Sequence, residues 1–132
     1  MLIHVVCWKY RPDITISMRD EHRNKLKALV EVIPEILEFD VGEDILHLDR
    51  SFDTGLVAAF ADRAALDEYT VHAEHQKVAA FGKEISEKVV SVDFYSGRQL
   101  RARKANDLVD ADIQREHIWL EIILLVTEWK SL

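Results

Sequence analysis

The chain has 132 residues, of which 48% are hydrophobic and 31% are charged, and its formal net charge is −7. This composition is typical of one globular domain and argues against nucleic-acid binding, because neutralising phosphates requires a basic face. The single cysteine, Cys7, forms no internal disulfide and is expected to be a buried, inert thiol. We expect no signal peptide, no membrane span and no contact with a membrane, and therefore a cytoplasmic protein.

The first part of the chain predicts a strand, a helix and a second strand. The side chains of residues 2–10 fall alternately on two faces, and this period of two in β-branched and aromatic residues is typical of a strand. A helix is predicted to begin with Ser17 as its cap and to stop at Pro34, which cannot continue it. Alternation resumes over residues 37–41 and predicts the second strand. The buried stripe predicted for the helix consists of His22, Leu26, Leu29, Val30 and Ile33.

The next part predicts a loop, a third strand, helical segments and a fourth strand. Residues 43–54 are polar and predict a loop, and residues 55–61 form a short apolar strand. Asp62 is the predicted cap of a first helical segment. A second helical segment is predicted over residues 73–87, followed by a strand over residues 89–95.

The order strand, helix, strand, strand, helix, strand indicates an α+β ferredoxin-like fold, βαββαβ, in which a four-stranded antiparallel sheet carries its helices on one face. Charge marks where this domain ends. Residues 1–96 carry all of the net charge, whereas residues 97–132 contain equal numbers of acidic and basic side chains. We therefore predict a domain over residues 1–96 and a C-terminal extension over residues 97–132.

Both faces of the predicted sheet carry apolar side chains. In the first strand Val6 and Trp8 lie on one face, while Val5 and Cys7 lie on the other. Helices cover only one of these faces, and a large exposed apolar face needs a partner. Packing against a second copy is the simplest solution, so we predict a homodimer through the sheet faces.

Acid–base side chains are concentrated in residues 69–75. Tyr69, His72 and His75 place one phenol and two imidazoles within this short segment. Imidazole changes charge near neutral pH, and a phenol can donate or relay a proton. Two interpretations of His75 stay open: a general base, or a side chain that bonds to the backbone at a helix start.

The sequence resembles the Dabb family of stress-responsive dimeric A/B barrel domains. The matching segments are residues 3–10, 33–42, 69–76 and 90–94. The resemblance implies a dimeric α/β barrel spanning about residues 1–96. It also implies a role for Tyr69 and His75, because they match the catalytic tyrosine and histidine of a plant member that cyclises a polyketide without a cofactor. His4 and His72 match two further histidines of that enzyme, whereas residues 53–55 depart from its Y-T-H sequence.

These observations predict catalytic roles for His75, as base, and Tyr69, as partner of the developing oxyanion. His4, Trp8 and His72 are predicted to contact the substrate, although His4 is equally well explained as a core histidine with a satisfied hydrogen bond. A metal held by His72 and His75 is disfavoured because two ligands do not define a site. No cofactor is expected.

The first hypothesis for function is a stress-responsive small-molecule-binding protein, whose enzymatic form would cyclise or isomerise a carbonyl compound. A second is a structural or assembly protein with a solid barrel. A third is a cofactor-independent monooxygenase, which rests on fold analogy.

The extension begins with a basic stretch and then predicts a helix with an apolar seam. The seam consists of Ile118, Ile122, Leu125 and Trp129. A strand over residues 118–127 is the alternative, because β-branched residues are frequent there. We expect this segment to dock on its own domain, to swap to a partner subunit or to build a larger oligomer.

Overall fold

The computed structural model describes residues 1–97, so the structure predicted for the extension lies outside the described residues. The elements are β1 (Leu2–Tyr10), α1 (Ile16–Val32), β2 (Glu38–Glu43), β3 (Thr54–Phe60), α2 (Arg63–Val71), α3 (Ala73–Ile85) and β4 (Ser86–Tyr95). The strands form one antiparallel sheet in the order β2-β3-β1-β4. The predicted ferredoxin-like fold is confirmed. No helix within residues 1–97 is both long and apolar enough to cross a membrane.

Helix α1 agrees with its sequence prediction at its C-terminal end but not at its N-terminal cap. Its cap is Thr15, whose hydroxyl accepts a hydrogen bond from the Met18 amide at 3.2 Å, so the predicted cap at Ser17 is wrong by two residues. The helix ends before Pro34 as predicted, with Ile33 extended because the proline ring excludes helical geometry from the residue before it. The prediction that Val30 is buried is also wrong, since its side chain is 46% exposed. The other predicted stripe residues, His22, Leu26, Leu29 and Ile33, are buried.

The junction between the two later helices forms around His72. Asp62 caps α2 as predicted, accepting from the Ala65 amide at 2.9 Å. His72 ends α2 and caps α3, with its Nδ1 accepting a hydrogen bond from the Glu74 amide at 3.1 Å. β4 follows α3 without a loop and begins at Ser86, three residues earlier than predicted.

The core lies between the helices and one face of β1. Alternate β1 side chains point toward the helices and are buried, as period two requires. The core side chains include Trp8, Tyr10, Leu26, Leu29, Ile33, Leu56, Phe60, Tyr69 and Ile85. Helices cover β1 and β3 well, whereas β4 is exposed over nearly its whole length.

The opposite face of the sheet is apolar and uncovered within the described residues. The registers place Val5 directly between Val57 of β3 and Val92 of β4. Val57 is 49%, Val92 55% and Phe94 48% exposed. Cys7, expected to be buried, is only half-buried on this same face. The second apolar face that the sequence predicted is therefore present.

Gly82 is the point of closest approach between α3 and the core. A Cβ atom at this position would lie 2.6 Å from Nε2 of His22 and 3.0 Å from Nε1 of Trp8, both on buried rings. We expect Gly82→Ala to destabilise the fold by about 1–3 kcal/mol, because overpacking outweighs the gain of about 1 kcal/mol in helix propensity.

Urea unfolding of Gly82→Ala, with and without His22→Ala, tests this contact. In the His22→Ala background the penalty of the added methyl group should shrink, because the nearest clashing atom is gone. An equal penalty in both backgrounds would contradict the packing described for Gly82.

Candidate functional site

Tyr69 is the centre of the candidate site. It lies in the last part of α2 with its side chain buried against the sheet. Its ring centroid is 4.1 Å from that of His75 and 5.9 Å from that of His4, and it also packs on Phe60 at 5.0 Å. Burial raises the pKa of Tyr69, so the phenol keeps its proton at neutral pH and is available as a hydrogen-bond donor.

His75 packs on Tyr69 from the first turn of α3. Its Nδ1 lies 3.1 Å from the carbonyl oxygen of Thr70. Because a carbonyl only accepts, Nδ1 carries the proton and Nε2 holds the lone pair. Burial lowers the pKa of His75, and the nearby His4 and His72 lower it further, against an opposing effect of the Thr70 hydrogen bond. The hydrogen bond to the Thr70 carbonyl fits both interpretations of His75. It is the backbone contact that a structural role predicts, and it also sets the tautomer that a general base requires.

His4 reaches the cluster from β1. Its ring contacts Phe60 and Tyr69 edge to face, and its Nδ1 forms a short contact with Oδ1 of Asp93. Asp93 stands opposite His4 in the register between β1 and β4. Sequence analysis missed Asp93 and Thr70 as partners of the two imidazoles. A strand register would have indicated Asp93, but the local sequence does not specify that register.

The other two predicted residues occupy different places. His72 caps α3 and influences His75 through its charge, as described above. Trp8 lies on the same face of β1 as His4 but four residues further along, and its ring packs on His22 at 4.9 Å. Thus His4, Tyr69 and His75 come together, His72 lies at the edge of the cluster, and Trp8 belongs to another part of the core.

A groove between α2 and β4 adjoins the cluster. Its volume is about 380 Å³, and its walls include Leu2, Leu66, Asp67, Thr70, Asp93 and Tyr95. Two of these, Thr70 and Asp93, are the hydrogen-bond partners of His75 and His4. The walls of the groove mix apolar side chains with charged and polar ones, and the side chains of His4, Tyr69 and His75 are not among them.

A second polar cluster fills the far end of the same face. The Tyr10 hydroxyl lies 2.7 Å from Nδ1 of His22 and 2.8 Å from the hydroxyl of Thr54, which also accepts from Arg23 at 3.2 Å. Burial, and secondarily the charge of Arg23, lowers the pKa of His22 to about 4. Nε2 of His22 has no hydrogen-bond partner within residues 1–97. The packing role predicted for His22 is confirmed, whereas its polar network was not foreseen.

The comparison with protein families agrees with this fold. The family model described as the stress responsive A/B barrel domain, Dabb, matches residues 2–96. The chain belongs to the Dabb family. A comparison with curated proteins finds no match.

Solved structures similar to this Dabb chain share its architecture. A dimeric ferredoxin-like protein of unknown function from Thermobifida fusca has 20% identity and a TM-score of 0.67, over 72% of this chain and 90% of its own. A dimeric ferredoxin-like protein from a Jannaschia species has 25% identity and a TM-score of 0.63, over 72% and 98%. Hydroxynitrile lyase from Passiflora edulis has 19% identity and a TM-score of 0.67, over 74% and 94%.

Proposed function

We propose that this Dabb protein binds a small carbonyl or hydroxy compound beside His4, Tyr69 and His75 and transfers protons on it without a cofactor. The observation that carries the proposal is the ring contact of His75 with Tyr69 at 4.1 Å. It joins an imidazole that burial keeps neutral to a phenol that burial keeps protonated. A base and a hydrogen-bond donor thus stand side by side.

The chemistry follows from these two groups. Nε2 of His75 removes a proton from the carbon beside a carbonyl, or from a hydroxyl group. The Tyr69 hydroxyl donates to the substrate oxygen on which negative charge develops. Aldol-type cyclisation and cyanohydrin cleavage can both use this pair. The fold shared with a hydroxynitrile lyase supports testing the second reaction, in which the hydroxyl proton is removed, the carbon–carbon bond breaks and cyanide leaves.

Two generic probes test the proposal with the full chain. Mandelonitrile reports cyanohydrin cleavage through the absorbance of the benzaldehyde released. Acetophenone in D₂O reports proton abstraction through loss of its methyl signal in proton NMR. We expect at least one probe to react faster than in buffer and faster than with the Tyr69→Phe protein. The proposal would be overturned if each probe reacted at the same rate in buffer, with the wild-type protein and with the Tyr69→Phe protein.

A structural role is the second candidate function. It is favoured by the backbone contacts of both helix-start histidines, His72 with the Glu74 amide and His75 with the Thr70 carbonyl. In that case the two imidazoles stabilise the junction of α2 and α3 and have no catalytic role. The monooxygenase alternative gains no observation beyond fold analogy.

We also infer that the uncovered apolar face pairs with a second copy of the chain. The exposed central valines support this, as do the similar structures described as dimeric. A charge placed at the centre of such an interface is costly because it loses its water. Val92→Glu should therefore convert the dimer to a monomer of 15.3 kDa in analytical ultracentrifugation.

Val89→Glu is the matched control for this prediction. Val89 lies on the same strand and is also exposed, but it points to the opposite face of the sheet. The Val89→Glu protein should remain dimeric. A monomeric wild-type chain, or a Val92→Glu dimer as stable as the control, would contradict the interface. A mass above that of a dimer would indicate the larger assembly predicted for the extension.

A further inference from the structure

We propose that His4, held by Asp93, is the acid partner of His75 and delivers a proton from its Nε2 to the group that leaves the substrate. This inference rests on the proposed function and assigns the second proton that such a reaction needs. In it His4 is a catalytic residue and Asp93 a positioning residue.

The sheet register creates the pair. Asp93 stands directly across from His4 between β1 and β4, so both side chains emerge on the helix-facing side of the sheet. A carboxylate only accepts hydrogen bonds, so its contact with Nδ1 places a proton on that atom. Nε2 of His4 has no hydrogen-bond partner within residues 1–97.

The two imidazoles of the site differ in what their Nδ1 atoms contact. His75 faces the neutral carbonyl of Thr70, whereas His4 faces the negative carboxylate of Asp93. A carboxylate stabilises a charged imidazole, and a carbonyl does so much less. His75 is therefore suited to take a proton and His4 to give one.

The surroundings of His4 on each element are consistent with this role. α2 contributes the phenol of Tyr69 and β3 the ring of Phe60, neither of which carries charge at neutral pH. α3 contributes His75, which is kept neutral. The only carboxylate in contact with His4 among the described residues is that of Asp93, which also lines the groove beside α2.

Proton balance limits the substrate class. One proton passes from the substrate to Nε2 of His75, and one passes from Nε2 of His4, which must start the reaction as an imidazolium with both nitrogens protonated, to the leaving group. Solvent then removes the first proton and restores the second. The site therefore suits compounds that carry both an acidic hydrogen and a basic leaving group. Examples are a cyanohydrin, which releases hydrogen cyanide, and a β-hydroxy ketone, which releases water.

Asp93→Asn tests the pair with mandelonitrile as the probe. We expect kcat to fall about 100-fold across the pH profile while KM changes less than threefold, because general acid catalysis is lost and binding is not. Asp93→Glu should restore part of the rate. Asp13→Asn is the matched control, because Asp13 is exposed, pairs with Arg11 outside the groove and should leave kcat unchanged.

A second measurement does not depend on turnover. Nitrogen-15 NMR of the histidine side chains in the full chain should show a proton on Nδ1 of His4. An Nδ1 without a proton would overturn the pair. Activity lost in His75→Ala but kept in Asp93→Asn would overturn this inference and leave the proposed function standing. A wild-type chain that accelerates neither probe would overturn the proposed function, and the proton delivery from His4 with it.

Discussion

Replacing His75 with alanine is expected to lower the turnover of a reacting probe by about 10²–10⁴-fold while the chain stays folded. The rate falls because the base is removed beside an otherwise intact Tyr69. The fold survives because His75 lies at the rim of the core. It loses one backbone hydrogen bond, of about 1 kcal/mol, and one ring contact, of about 0.5–1.5 kcal/mol.

Two measurements on the same preparations separate catalysis from stability: kcat/KM with the probe and the urea midpoint. The control is His47→Asn, which removes an exposed imidazole from the loop between β2 and β3. Asparagine tolerates the positive φ of 52° at that position. His75→Ala with full turnover and a loss of several kcal/mol would favour the structural role instead.

The elements of this fold were predictable where one periodicity dominates. β1 alternates without interruption, and its predicted bounds agree with the structure. The caps were less certain because similar side chains stand close together. Thr15 and Ser17 both offer a hydroxyl, and only the path of the chain after β1 selects Thr15. β4 was predicted too short because Ser86 through Lys88 are polar and pair on an exposed edge strand.

The site was predictable only in its local part. Tyr69 and His75 are six residues apart around a helix junction, so their meeting depends on short-range geometry. Trp8 was grouped with them because it shares a face with His4. Four residues of strand span about 13 Å, which puts the two side chains at different ends of that face. Asp93 depends on a strand register, which no local pattern specifies.

The buried network of His22 was the least predictable feature, since it joins Tyr10 of β1, Thr54 of β3 and Arg23 of its own helix. The helical stripe showed only that His22 faces inward. Which polar groups meet it depends on how three elements pack. Its consequence is a dependence of stability on pH.

Acidification from pH 6.5 to pH 4 is expected to destabilise the fold by about 3 kcal/mol through His22 alone. The pKa of His22 is about 4 in the folded chain, against an ordinary value of 6.5. Above pH 6.5 both states hold a neutral imidazole and His22 has no effect. Below it the unfolded chain binds a proton that the folded chain refuses, so stability falls until the pH reaches the folded value.

Urea unfolding at several pH values between 7 and 4.5, for the wild type and His22→Leu, measures this effect. Carboxylates and His75 titrate in both proteins, so the difference between the two curves isolates His22. We expect the variant to be less stable at pH 7, because Tyr10 loses a partner, but to lose less stability on acidification. Parallel curves would contradict the argument. If the variant does not fold, the pKa of His22 can be measured by NMR titration of the wild type. An ordinary pKa in the folded chain would contradict the predicted loss of stability on acidification.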